Sequence, residues 1–153
     1  MSPSVEKQFE PSPGGAVLLV DEDLEQLEWV ERVIQGIGYS VQACNSYAEG
    51  MRQLVSGAFD IVVVGQGSRE FEGRRVLEGA SEFNRHLPVV VVARQLEIRC
   101  YLEAMQLGAV DYLAGPFAGT DVARVMRNWA PRRKGGIEAE RLNLGPTPEK
   151  IAA

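Results

Sequence analysis

Val17-Leu18-Leu19-Val20-Asp21-Glu22-Asp23 decides the fold: four aliphatic residues run without a polar break into three carboxylates. A strand that is apolar on both sides must be covered on both faces, as in a parallel sheet between layers of helices. The same signal returns at Ile61-Val62-Val63-Val64 and Val89-Val90-Val91-Val92. Two weaker runs complete five strands. Ser40 to Cys44 alternates polar and apolar residues and Val110 to Leu113 is short, which places both at or near the sheet edges.

Between the strands the apolar spacing becomes helical. Leu24, Leu27, Val30 or Glu31, and Ile34 line a first helix that Gly36 and Gly38 stop. Ser46 caps a second, in which Ala48, Met51 and Leu54 or Val55 face the sheet as far as Gly57. A third runs from Gly73 to Phe83, and Pro88 opens the next strand. Ile98, Tyr101 or Leu102, and Met105 line a fourth that stops at Gly108. Asp121 to Trp129 forms the fifth, with Val122, Val125 and Met126 or Trp129 inward, ended by Pro131. Alternating strands and helices imply one α/β domain over residues 16–130. Residues 1–15 read as a flexible lead rich in Pro, Ser, Gly and charge, and 131–153 as an extension with at most one short helix at Glu138 to Leu142.

Composition narrows the function classes. A 153-residue chain, 45% hydrophobic and 24% charged, fits one packed domain. A net charge of -5 argues against a general nucleic-acid binder, and the three charges of Arg132-Arg133-Lys134 are too few to change that. Cys44 and Cys100 have no metal-ligand spacing and are expected reduced and buried. No apolar run approaches the roughly 20 residues of a membrane span, and Met1 to Pro13 lacks the pattern of a signal peptide. A cytosolic setting is expected. His86, in a loop, is assigned no role.

In an open parallel sheet the ligand site lies at the carboxyl ends of the strands. There Asp21-Glu22-Asp23 could hold a hard cation through oxygen ligands, or could cap the first turn of a helix; taken alone, the cap is favoured.

The order of motifs settles the context. Val17 to Asp23 resembles the first strand and acidic pocket of response-regulator receivers. Phe59-Asp60-Ile61-Val62-Val63-Val64 is similar to their third strand and Leu87 to Val92 to their fourth. Gly73 falls where the family opens a helix with glycine, and Gly108-Ala109-Val110-Asp111-Tyr112-Leu113-Ala114-Gly115-Pro116-Phe117 is similar to the signature around their fifth strand. The resemblance covers residues 16–130 and implies a flavodoxin-like, doubly wound (βα)5 fold with strand order 2-1-3-4-5. It also implies a signalling function that this chain has altered. The family's phosphoacceptor aspartate is matched by Gly65, its hydroxyl residue after the fourth strand by Ala93, and its lysine after the fifth by Gly115. Asp21 and Glu22 match what remains of the metal pocket, so weak magnesium binding at most is expected and no cofactor is required. Tyr112 matches a position whose ring moves on phosphorylation.

The expectation is therefore a pseudo-receiver without catalysis. It would dock a protein partner or a second copy of itself through the face of the fourth helix, fifth strand and fifth helix, with Arg99, Glu103, Gln106 and Arg124 as candidate contacts. A second expectation is a small-molecule sensor using the space left by Gly65, Ala93 and Gly115. A third is an unusual phosphoacceptor such as Ser68 or Asp60, although Asp60 precedes its strand and belongs at the opposite end of the sheet.

Overall fold

The structure, a computed structural model, describes residues 14–130. The expected lead up to Pro13 and the expected extension over 131–153, with its short helix, lie outside the described residues. Strands β1 (Ala16–Val20), β2 (Ser40–Cys44), β3 (Ile61–Gly65), β4 (Val89–Ala93) and β5 (Asp111–Ala114) alternate with helices α1 (Leu24–Gly36), α2 (Tyr47–Ser56), α3 (Arg74–Phe83), α4 (Ile98–Gln106) and α5 (Gly119–Trp129). All pairings are parallel and the order is β2-β1-β3-β4-β5, so the flavodoxin-like arrangement is present and β2 and β5 form the edges.

The unbroken aliphatic runs supply two cores at once, because neighbouring residues of a strand point to opposite faces. Leu18, Val20, Val62, Val64 and Val91 pack with Leu54, Leu77 and Ala104 beneath α2, α3 and α4. Val17, Leu19, Ile61, Val63 and Val90 pack with Ile34 and Met126 beneath α1 and α5. Each buried aliphatic side chain contributes about 1.5–3 kcal/mol relative to exposure. Ser46 caps α2 by accepting from the Glu49 N–H at 3.1 Å. Glycines at positive φ, Gly38 and Gly108, turn the chain out of α1 and α4.

Three helix faces differ from expectation, the first at α1, where Leu24 is exposed and Leu27, Val30 and Ile34 are buried. On α2 the buried residues are Tyr47, Gly50 and Leu54, with Met51 half-buried and Ala48 and Val55 exposed. Gly50 sets this rotation, since a carbon added there would lie 2.6 Å from a Val20 methyl. On α4 the large residues are outside: Ile98, Tyr101, Leu102 and Met105 are all exposed, and the helix meets the sheet through Cys100 and Ala104. Helix α5 begins before Asp121, whose carboxylate accepts from the Ala118 N–H at 2.7 Å. Among the described residues no helix is long and apolar enough to cross a membrane.

Candidate functional site

The carboxyl ends of β1, β3 and β4 surround a cleft of about 570 Å³ lined by Asp21, Glu22, Asp23, Gln66, Ala93 and Arg94, among others. Asp21 is buried, with both oxygens engaged: Oδ1 accepts from the Asp23 N–H at 3.0 Å and Oδ2 from the Gln26 side-chain amide at 2.6 Å. Burial pushes its pKa up, and the hydrogen bonds from Gln26 and Asp23 pull against that rise. Asp23 is the N-cap of α1, accepting from the Gln26 N–H at 3.3 Å, so the capping role weighed from the sequence is present. It also receives the Arg94 guanidinium, which donates to both its oxygens and to Glu25 at 3.1 Å. That pairing holds the Asp23 carboxyl below the ordinary value. Glu22 lines the cleft and is exposed.

Gly65 ends β3 with its α-carbon turned toward Asp21. A carbon added there would stand 2.4 Å from the Asp21 carboxyl, so Asp21 occupies the volume a side chain at 65 would need. The Tyr47 hydroxyl donates to the Gly65 carbonyl at 3.0 Å, and burial, followed by the nearby carboxylates, pushes the Tyr47 pKa up. Ala93 is buried at the end of β4. Gly115 does not share this cleft: it lies against the Arg94 carbonyl and lines a separate groove of about 440 Å³ with Trp29 and Phe117. The expected common space of Gly65, Ala93 and Gly115 is therefore divided, because one carboxyl and one backbone carbonyl have closed two of its three parts.

Gln66, which also lines the cleft, is 3% exposed and follows Gly65 directly. Its side-chain amide donates to the Ser68 carbonyl at 3.2 Å, and its oxygen accepts the Tyr112 hydroxyl. That hydroxyl accepts in turn from the Glu97 N–H at 3.4 Å, and the Tyr112 ring meets Tyr101 edge-on with centroids 5.5 Å apart. Ser68 donates through Oγ to Glu72 at 2.8 Å. Asp60 lies at the other end of the sheet, accepting from the Ala16 N–H at 2.8 Å. Arg99, Gln106 and Arg124 are exposed, whereas Glu103 turns to Arg74 of α3. Cys44 and Cys100 are buried and unpaired, and burial raises both thiol pKa values.

Sequence reading thus brings Asp21, Glu22, Gly65 and Ala93 together and misses Gln26, Tyr47, Gln66 and Arg94. Two of these carried a usable signal: Gln66 and Arg94 directly follow the last residues of β3 and β4, where a ligand-facing side chain is expected.

The comparisons bear on the family and the fold. The sequence model described as the response regulator receiver domain matches residues 17–127. Over 100 residues the chain is 28% identical to the transcriptional regulatory protein ZraR of Escherichia coli (strain K12), covering 65% of this chain and 23% of that protein. It is 26% identical to the transcriptional regulatory protein QseB of Escherichia coli O157:H7, over 81% of this chain and 57% of that one. The chain therefore spans less than two thirds of these relatives. A CheY-like response regulator receiver domain protein from Methanospirillum hungatei JF-1 superposes with a TM-score of 0.68 at 19% identity, over 74% of this chain and 90% of that one. With the family's sequence pattern running through all five strands, the chain belongs to the response regulator receiver domain family.

Proposed function

We propose that this receiver module accepts no phosphoryl group and works without catalysis, by docking a protein partner or a second copy of itself. The observation that carries the reading is the volume beside Gly65: the residue matched to the family's acceptor is glycine, and the Asp21 carboxyl fills the place of its side chain. Phosphoryl transfer needs a placed nucleophile and fixed charges facing the developing anion. The two arginines of the cleft are already ion-paired, Arg94 with Asp23 and Glu25 and Arg69 with Glu97. Ser68 is held by Glu72, and Asp60 belongs to the far end of the sheet.

Magnesium asks for several oxygen ligands in near-octahedral array. Here both Asp21 oxygens already accept hydrogen bonds, Asp23 is ion-paired, and among the described residues no three His, Cys, Asp or Glu side chains are grouped to hold a metal. The donor set does not fit the ion, and the reading includes no metal-dependent step. The docking surface is the face of α4, β5 and α5, where exposed Arg99, Gln106 and Arg124 flank exposed Ile98 and Leu102. Two unpaired cysteines suit a cytosolic setting.

The test is to add magnesium with beryllium fluoride, a phosphoryl mimic, and separately a small phosphodonor, while recording amide shifts, label incorporation and solution mass. The expected result is no label and no shift near residues 21, 65, 93 and 115. Saturable shifts there would overturn the reading. A second reading, a small-molecule sensor, draws on the size of the 570 Å³ cleft, which lies in the range of ligand sites. It predicts a rise in unfolding temperature with a ligand that spares variants outside the cleft.

A further inference from the structure

The exposed stripe on α4 begins one residue after a helix start that has no side-chain cap: the N-cap is Glu97, and its side chain makes no capping hydrogen bond. Its backbone N–H points instead to the Tyr112 hydroxyl, 3.4 Å away on β5. That hydroxyl donates to the oxygen of Gln66, a side chain 3% exposed on the loop after β3. Gln66 is itself fixed on every side. Its N–H donates to the Val92 carbonyl at 2.8 Å, its carbonyl accepts from Gly73 at 3.0 Å, and its side-chain amide reaches Ser68. One amide thus joins the cleft, β5 and the start of α4, and the Tyr112 ring carries the connection to Tyr101 on the exposed face of α4.

We propose that Gln66 is a built-in positioning residue, which fixes the Tyr112 hydroxyl and through it the first turn of α4, so that the apolar stripe of that helix is presented in one arrangement without any covalent event. The inference deepens the reading of the chain as a docking module by naming what sets the docking face. A buried acceptor matched to a half-buried hydroxyl is directional in a way that apolar packing is not. Loss of Gln66 takes away the acceptor of the Tyr112 hydroxyl, and loss of the hydroxyl takes away the donor to the buried Gln66 oxygen, so the cost falls on the element with the fewest other ties. Here that element is α4, whose large side chains stand in solvent and whose contact with the sheet is made by Cys100 and Ala104.

The experiment is hydrogen exchange on the full chain for wild type, Gln66→Leu, Gln66→Glu, Tyr112→Phe and the Gln66→Leu/Tyr112→Phe double variant. Gln66→Leu and Tyr112→Phe should each speed exchange about fivefold at the Glu97 and Tyr101 amides, the hydrogen-bonded N–H groups at the start of α4, and the double variant no more than either alone. Gln66→Glu, which keeps an acceptor oxygen, should retain slow exchange at acidic pH, where its buried carboxyl is protonated. Amides of β1 and β3 report whether the fold is intact, and Tyr112→Phe keeps the ring and its packing if Gln66→Leu proves unstable. Unchanged exchange in α4, or effects that add, would overturn the proposal. Failure of the wider reading appears separately, as beryllium fluoride shifts in the wild type.

Discussion

At Asp21 a carboxyl group of one strand end takes the room of a neighbour's side chain, and two consequences can be measured. Gly65→Ala should destabilise the chain by about 1–3 kcal/mol, since the added carbon would stand 2.4 Å from that carboxyl. Asp21→Ala empties the same volume and should make the alanine at 65 nearly neutral. Urea unfolding of the four members of this cycle measures the coupling, and additive effects would mean that the two positions share no space. The second consequence concerns pH. Burial raises the folded pKa of Asp21 above its ordinary 3.8, so the folded chain keeps a proton the unfolded chain has released. Stability contributed at this residue therefore falls as pH rises from 3.8 through the raised value, and is level above it. Asp21→Asn removes that titration, and its stability relative to wild type should climb across the same window and then plateau. Asp23 has the opposite sign: Arg94 lowers its folded pKa, so its contribution is present above 3.8 and is lost as pH falls through the lowered value.

Among the elements, α4 separates what was legible from what was not. Its existence and its stop at Gly108 followed from spacing, but the side it turns to the sheet did not. Apolar residues at 98, 101, 102 and 105 form a stripe at helical spacing, and on propensity alone such a stripe belongs inside. The helix instead meets the sheet through Cys100 and Ala104, small residues that a hydrophobicity pattern passes over. The strands were read more fully, because burial on both faces leaves an aliphatic run with no phase to mistake, as β3 and β4 show. The inverted stripe gives a direct check. Ala104→Leu should cost about 1–3 kcal/mol by overpacking, whereas Leu102→Ser, at a residue 54% exposed, should change stability by less than about 0.5 kcal/mol. Paired denaturation curves decide it, and the reverse order would place the stripe in the core.

For the whole molecule, the two cores share one sheet, so damage to a central strand reaches both. Leu18→Ala, at a fully buried site on β1, should cost about 2–5 kcal/mol, a large part of the stability of an ordinary domain, and appear as a lower urea midpoint in one cooperative transition. At this scale the alternation of strands and helices and the residues at the strand ends were legible in the order along the chain, and the strand order came with the family resemblance. The sequence did not disclose how the empty positions were refilled, because the Asp21 carboxyl and the Arg94 carbonyl arrive from other strands and only their coordinates reveal the exchange. The approach of Gly115 to that carbonyl, where an added carbon would lie 2.5 Å away, bears on how the protein can be rewired. Lysine at 115 would require the chain after β4 to move, and aspartate at 65 would require the Asp21 carboxyl to shift. A side chain at either position thus requires a neighbouring group to move. For selection and for engineering alike, changes on the exposed surface of α4 meet less steric resistance than changes at these two strand ends.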